Sequence, residues 1–242
     1  MQEIIEAFIG SFYGYGNLGG KYWFIGMEEG CGSTWETDVE PRFTAWNARG
    51  RQTTEHLREY HAEINIVHHW QPVGERAIQI QKTWRRLIQT VLTAEGNDAI
   101  TVQQIAAYQA QRLGTSQGRT CLLELLPLPS PRLHVWPYAH LANQIPYLAS
   151  RSGYRQQVRP GRIAGLRALI AEHRPPHVIF YGQSYLDEWT AVVGCGEWVQ
   201  IEDHIQSIQD GATTFWLVPH PNARGLPAGV FIRLGVLMRE AV

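Results

Sequence analysis

Hydrophobic and polar positions divide the chain into two kinds of segment. Four short apolar runs, each ended by Gly or Pro or leading into a polar loop, predict buried β-strands at residues 21–27, 120–126, 178–181 and 213–218. Segments with helical spacing of apolar residues predict amphipathic helices at residues 3–12, 53–64, 77–94, 101–113, 161–173 and 227–240. Strands therefore alternate with helices along the chain.

The predicted strands are apolar on both faces, which is typical of a parallel sheet covered by helices on both sides. The pattern predicts an α/β fold with a central four-stranded parallel sheet. The Pro-rich stretch at residues 127–137 is flanked by equally apolar sequence, so we interpret it as a loop rather than a linker. We therefore expect one domain over residues 1–242.

Three of the predicted strands run into distinctive loops: GMEEG at residues 26–30, PLPSPR at 127–132 and PHPNARG at 219–225. In an open parallel sheet, ligands bind outside the carboxyl ends of the strands. The three loops are expected to meet at that edge, which makes them the candidate site.

The net charge of the chain limits the kinds of partner that it is expected to bind. Hydrophobic residues make up 44% and charged residues 18% of the chain, as in globular proteins, and the net charge is -1. A chain without excess positive charge is not expected to coat DNA broadly, although a local basic patch is allowed. We interpret the arginine cluster of Arg151, Arg155, Arg159 and Arg162 as a solvated surface.

Three cysteines, Cys31, Cys121 and Cys195, lie far apart and form no C-x-x-C pair. They predict no zinc or redox motif and favour a reducing, cytoplasmic location. The adjacent His68 and His69 have no third ligand at metal spacing, so we expect no bound metal and interpret them as a surface or interface pair. The apolar runs are too short for a membrane span, and we expect no cofactor and a monomer.

Four segments resemble the uracil-DNA glycosylase superfamily, nearest to its single-strand-selective monofunctional branch, whose motifs read like GMNPG, NLCPL and HPSPRN. They are WFIGMEEG (residues 23–30), LELLPL (123–128), VIFYG (178–182) and LVPHPNAR (217–224). Their order and spacing agree over about 200 residues. The resemblance implies a three-layer α/β/α glycosylase fold and cleavage of the N-glycosidic bond of a flipped base. The iron–sulfur branch needs four cysteines, so no cluster is expected.

The resemblance places Glu28 and His220 at the catalytic positions. Glycosidic cleavage passes through a cationic sugar and a departing base anion. A carboxylate at Glu28 suits the water and the cation, while a ring N–H of His220 suits the anion. The alternatives are an ordinary ion pair or helix cap for Glu28, and a loop histidine packed between Pro219 and Pro221.

The resemblance also implies contacts to the base, from Met27, Glu29, Trp35, Phe43, Glu124 and Asn222. Glu28, Glu29, Glu124 and Asn222 depart from the superfamily, which has Asn or Asp, Pro, Asn and Ser there. An ionised Glu124 only accepts hydrogen bonds, which disfavours a uracil carbonyl and favours a base that presents N–H groups. The alternatives are a buried Glu124 paired with an arginine, or a register shifted by one residue. Trp35 and Phe43 are candidates for base stacking or for core packing.

Contacts to the nucleic acid are implied for Gln183, Ser184, Arg224 and Leu226. The first two follow the third strand and either contact phosphate or cap a helix. The other two follow the histidine loop, where an apolar wedge would enter the minor groove, although Arg224 is equally compatible with an exposed position.

Three functions remain open at this point. The first is a DNA glycosylase-like hydrolase acting on a flipped base, either uracil or another base, without a metal. The second is a noncatalytic protein that binds a nucleobase, a nucleotide or nucleic acid. The third is an interaction protein that retains only the fold. DNA or a nucleobase-containing ligand is the expected partner of the first two.

Overall fold

The computed structural model describes residues 1–132 and 134–241, and its centre is a mixed β-sheet flanked by helices. Eight strands form the sheet: β1 (Gly14–Gly16), β2 (Tyr22–Gly30), β3 (Thr54–Glu55), β4 (Thr120–Ser130), β5 (His177–Tyr181), β6 (Val199–Glu202), β7 (Ile205–Asp210) and β8 (Thr213–Val218). Their order is β3-β1-β4-β2-β5-β8-β7-β6.

The four apolar runs predicted from the sequence lie next to one another as β4, β2, β5 and β8, and each adjacent pair is parallel. The sheet as a whole is larger than the four-stranded parallel sheet that we predicted, and it is mixed. Strand β1 pairs antiparallel with β4, and β7 and β6 extend the other edge antiparallel. Three of the four extra strands escaped prediction because β1 and β3 are too short to show a period and β6 is mostly exposed. The fourth, β7, has only two buried positions, Ile205 and Ile208.

Eight α-helices surround the sheet: α1 (Gln2–Ser11), α2 (Glu40–Ala48), α3 (Leu57–Glu63), α4 (Lys82–Ala94), α5 (Val102–Gln111), α6 (Arg151–His173), α7 (Leu186–Val193) and α8 (Val230–Glu240) among the described residues. A π-helical turn, Trp35–Val39, leads into α2. No helix in the described residues is long and apolar enough to cross a membrane.

Strand β4 continues past Pro127, where we predicted its end. Proline cannot donate to a sheet ladder and is tolerated where one side of a strand is free. Strand β1 pairs with β4 only over residues 121–123, so Pro127 and Pro129 need no partner on that side. The register between β2 and β4 shifts between Glu28 and Gly30. The extended β4 carries Ser130 to the same sheet edge as Glu28.

Helix α6 begins ten residues before the predicted start at Gly161, since it spans Arg151–His173 and contains Pro160. The hydroxyl of Ser150 accepts a hydrogen bond from the N–H of Gly153 at 3.1 Å and caps the first turn. The early start matters for function, because it places Arg151 beside the carboxyl ends of β2 and β4.

Two other predicted helices are shortened by side-chain caps. The segment at residues 53–64 begins as β3, and α3 starts only after His56, whose ring accepts from the N–H of Glu59. Helix α4 starts at Lys82 rather than at residue 77, since Gln81 accepts from the N–H of Trp84 at 2.8 Å. Residues 65–81 therefore form a loop beside the sheet edge.

Candidate functional site

A cleft of about 450 Å³ opens at the carboxyl edge of the parallel strands. Its walls come from the end of β2, from β4, from the last residue of β5, from the loop after β8, and from α2, α3 and α4 with the loop that precedes α4. The size lies within the range of small-ligand sites. The three loops singled out in the sequence do meet at one edge.

Five of the predicted site residues line this cleft: Glu28, Glu29, Glu124, His220 and Asn222. The other seven lie elsewhere in the described part of the chain. Met27 and Phe43 are buried, and Phe43 packs edge-on against Phe8 at 5.0 Å between ring centroids. Trp35 packs against Phe43 and His140. Phe43 is thus part of the core, as the alternative interpretation had it.

The residues proposed for nucleic-acid contact lie outside the cleft lining. The amide of Gln183 donates to the carbonyl of His204 at 3.3 Å, and Ser184 lies in the 3-10 turn Gln183–Tyr185. Arg224 is exposed, and Leu226 is half-buried against the core. Part of the Leu226 side chain therefore packs against the core.

Glu29 belongs to a largely buried cluster that forms part of the cleft lining, which we call the Glu29 cluster (Tyr15, Glu29, Arg42 and His61). Arg42 Nη1 lies 2.9 Å from Glu29 Oε1, and the Tyr15 hydroxyl donates to Oε2 at 2.7 Å. Burial opposes ionisation, but the charge of Arg42, together with His61 and Tyr15, lowers the pKa of Glu29 to about 2. Glu29 is therefore ionised and fully bonded.

Glu28 leaves β2 on the opposite side from Glu29 because neighbouring side chains of a strand alternate. Its Oε1 is bound by Arg151, whose guanidinium also donates to the hydroxyl of Ser130 and to the carbonyl of Arg132. Its Oε2 is buried and has no hydrogen-bond partner among the described residues. Glu28 therefore forms the ion pair that was the alternative to a catalytic role, and its Oε2 is at the same time an acceptor without a partner in the described residues. Arg151 is not the solvated surface residue that we predicted.

Arg162 donates to the backbone carbonyl of Glu124 at 3.0 Å, but no arginine in the described residues forms an ion pair with its carboxyl group. The Oε1 of Glu124 instead accepts a hydrogen bond from the hydroxyl of Tyr181 at 3.1 Å. Burial raises the pKa of Glu124 well above its usual value, and the charges of Glu29 and Glu28 act in the same direction. The raised pKa favours the neutral form of Glu124, and a protonated carboxyl group both donates and accepts hydrogen bonds. The prediction for Glu124 considered only the ionised form, which accepts.

Gly26 makes room for the pair of Glu124 and Tyr181. A Cβ atom at Gly26 would lie 2.3 Å from the Tyr181 hydroxyl and 2.5 Å from Glu124 Oε2. Only glycine allows these two side chains to cross β2 so closely. The first residue of the GMEEG loop therefore has a steric role in the site.

His220 sits on the loop after β8 with its ring 5.8 Å from that of Tyr181. The backbone N–H of Asn222 donates to His220 Nδ1 at 3.1 Å, so the proton of a neutral ring is on Nε2. Partial burial lowers the pKa of His220, which favours this neutral form at pH 7. The side-chain amide of Asn222 donates to the hydroxyl of Thr83 at 2.9 Å and ties the loop to α4.

Three aromatic side chains that sequence reasoning missed also line the cleft, and we call them the aromatic wall (His61, His69 and Trp84). The ring centroids of His69 and Trp84 are 5.2 Å apart. His69 Nδ1 lies 2.8 Å from the carbonyl of Gln79, which can only accept, so Nε2 remains an acceptor. The sequence signal was the doublet His68-His69, which we assigned to a surface or interface.

No group of three or more His, Cys, Asp or Glu residues is arranged to hold a metal ion in residues 1–132 and 134–241. No model of a known protein family matches the chain, and no curated protein matches its sequence. The chemistry of the cleft therefore carries the argument about function.

Proposed function

We propose that the protein is a divergent DNA glycosylase-like hydrolase that cleaves the N-glycosidic bond of a flipped base. One observation carries the proposal: Glu28, Glu124 and His220 come from three distant segments of the chain and line one cleft. These are the residues that the glycosylase resemblance put forward for water activation, base recognition and stabilisation of the leaving base.

Glu28 is suited to act on the sugar side of the bond. Its free Oε2 is a buried acceptor, while Arg151 holds Oε1 and fixes the orientation of the carboxylate. A carboxylate held in this way accepts a hydrogen bond from water and faces the positive charge that develops on the sugar. Ser130 and Arg132 restrain Arg151 in turn.

His220 is suited to act on the base side. The contact from Asn222 sets the tautomer, so that Nε2–H is the donor available to a ligand. A neutral imidazole with a fixed donor stabilises the anion of a departing base without adding a proton to the site. The tie between Asn222 and Thr83 holds the loop in this geometry.

Glu124 is suited to read the edge of the base. A neutral carboxyl group offers a donor and an acceptor side by side, as an amide does. The matching ligand edge carries one N–H next to one carbonyl, which uracil, hypoxanthine and xanthine all present. The change from an ionised to a neutral Glu124 therefore widens the set of target bases to include uracil.

A noncatalytic nucleobase-binding protein is the second candidate, and the ion pair of Glu28 and Arg151 favours it. A carboxylate whose charge is already balanced by an arginine attracts a cationic sugar less strongly. The same cleft would then bind the base without cleaving its bond.

Activity on oligonucleotides that contain uracil, hypoxanthine or xanthine separates the two candidates. We expect base release from at least one of them, with a rate about 10²-fold to 10⁴-fold lower for Glu28→Gln. His220→Ala should lower the rate about 10²-fold to 10³-fold. The exposed residues Glu75 and His134 supply the matched controls Glu75→Gln and His134→Ala, which should retain full activity.

The hydrolase proposal fails if no base is released from any of these strands. Calorimetric binding of a free base, abolished in His220→Ala but retained in His134→Ala, would then support the binding protein. An absence of both activity and binding would leave an interaction role for the fold.

A further inference from the structure

A second groove of about 660 Å³ lies next to the cleft, between the first turns of α4 and the start of α8. Lys82, Arg85 and Arg86 line it from α4, while Asn222 and Ala228 line it from the other side. We call this the α4 groove. Its wall contains three cationic side chains and no carboxylate.

The three cations of the α4 groove lack acidic neighbours. Lys82 and Arg85 are exposed, and Arg86 is half-buried. Among the described residues, none of the three is within ion-pair distance of a carboxylate. Arg86 Nη1 instead donates to the carbonyl of Ala228 at 3.0 Å. In a protein of net charge -1, this is a local concentration of positive charge.

These cations lie at positions where positive charge destabilises helix α4. The first turn of α4 contains no acidic residue. Backbone dipoles already make the start of a helix positive, and like charges three or four residues apart repel, as Lys82 does with Arg85 and Arg86. Local preferences broken without compensation inside the chain are expected at functional sites. A bound anion would relieve both effects.

The α4 groove is continuous with the cleft. Thr83 and Trp84 line the cleft, while their neighbours Lys82 and Arg85 line the groove. Asn222 lines both, and its hydrogen bond to Thr83 joins the histidine loop to α4. If a planar group of a ligand lies in the cleft, the rest of that ligand can extend along the cationic side chains of the α4 groove.

We propose that the α4 groove binds the phosphodiester backbone of the DNA strand whose base enters the cleft. The identity of the ligand as DNA rests on the proposed function, while the affinity for phosphate rests on the groove itself. Lys82 and Arg85 each contact one phosphate, and Arg86 is held in place by Ala228 and Gln89. These contacts are independent of base sequence, as backbone contacts are in general.

Fluorescence anisotropy with a labelled single strand of about 15 nucleotides tests the proposal. The strand contains no altered base, so the readout does not depend on base release. Binding is measured between about 50 and 200 mM NaCl for the wild type, for Lys82→Gln/Arg85→Gln, and for a duplex of the same sequence. The matched control is Arg58→Gln/Arg112→Gln, which removes the same charge from exposed positions outside the α4 groove.

The groove variant should bind the strand roughly tenfold more weakly at low salt. Its plot of log K against log salt should be flatter by about 1.4, which corresponds to two lost phosphate contacts. The control should keep the wild-type slope, and thermal unfolding should show that both variants are folded. Tighter binding of the single strand than of the duplex would support a path for one strand.

Three results would overturn the proposal: an unchanged slope in the groove variant, an equal loss in the control, or no binding of any strand by the wild type. Base release by the same protein would then still support the proposed function. A flatter slope together with no release from any altered base would support the groove and count against the hydrolase.

Discussion

The Glu29 cluster and the cleft floor around Glu28 and Glu124 lie side by side, yet their hydrogen bonding differs. Both oxygens of Glu29 have partners, in Arg42 and Tyr15. Glu28 and Glu124 each keep one buried oxygen without a partner among the described residues. Glu29 is therefore bonded within the protein, although the ring nitrogens of His61 beside it have no hydrogen-bond partner in the described residues, whereas Glu28 and Glu124 each leave an oxygen for a ligand.

The difference indicates which carboxylates are structural and which are available for chemistry. A buried charge is tolerated when its partners replace the water that it has lost. An unbonded buried oxygen needs a reason, and an expected ligand is one. Position in the sequence does not reveal this, since Glu28 and Glu29 are neighbours at the end of β2.

The largest expected effect comes from breaking the Glu29 cluster. Arg42→Ala removes a buried partner and leaves the charge of Glu29 uncompensated, so the free energy of unfolding should fall by about 3–5 kcal/mol. Urea denaturation followed by circular dichroism measures the loss. Arg239→Ala is the control, since Arg239 and Asp98 form an exposed pair at 3.3 Å that should contribute at most about 1 kcal/mol. Equal losses of unfolding free energy in the two variants would show that the Arg42–Glu29 pair stabilises the fold no more than the exposed Arg239–Asp98 pair does.

The next largest effect is the loss, at acid pH, of the stability that the ionised Glu29 contributes. The pKa of Glu29 falls from 4.5 to about 2 on folding, so its ionised form stabilises the fold above pH 4.5. This stability, about 3 kcal/mol, is lost as the pH falls towards 2. The difference in unfolding free energy between the wild type and Glu29→Gln should therefore be largest at pH 7 and shrink between pH 4.5 and 2. A difference that stays constant over this range would contradict the lowered pKa.

The smallest effect concerns Glu124 in the cleft, whose pKa is raised on folding whereas that of Glu29 is lowered. Burial raises the pKa of Glu124, so the folded state binds more protons than the unfolded state above the ordinary carboxyl pKa of about 4.3. The stability of the wild type is therefore lowered as the pH rises through this range. Glu124→Gln lacks the titration and should be more stable than the wild type at pH 8, but not at pH 4. Thermal unfolding at both pH values measures this, and a destabilised variant at pH 8 would refute a neutral Glu124.

The four central strands were predictable because each is a continuous apolar run of several residues. The edges of the sheet were not, since Gly14–Gly16 and Thr54–Glu55 are recognised only by their pairing with β4 and with each other. Pro127 suggested a strand end at which β4 does not end, because the strand is free on one side there. The predicted helix start at Gly161 was also wrong, since α6 begins at Arg151 and contains Pro160.

The candidate site was predictable only as a set of loops. Glu28, Glu124 and His220 were named because the glycosylase resemblance implied roles for them, at or next to the ends of apolar strands. Arg151 and Tyr181 were not, since each reaches its carboxylate across the sheet edge from another segment. Trp35 and Phe43 were proposed where His69 and Trp84 form the aromatic wall, because proximity along the chain is a poor guide to proximity in space.

The sequence by itself determined the α/β class, the four central strands and the edge at which their loops meet, because periodicity and strand ends are local properties. Only the tertiary structure decided how each carboxylate behaves. Ionisation depends on burial and on partners that are distant along the chain: Arg42 keeps Glu29 charged, while the enclosed position beside Tyr181 keeps Glu124 neutral. The same residue type therefore serves as a structural anion in one place and as a neutral hydrogen-bonding group in another.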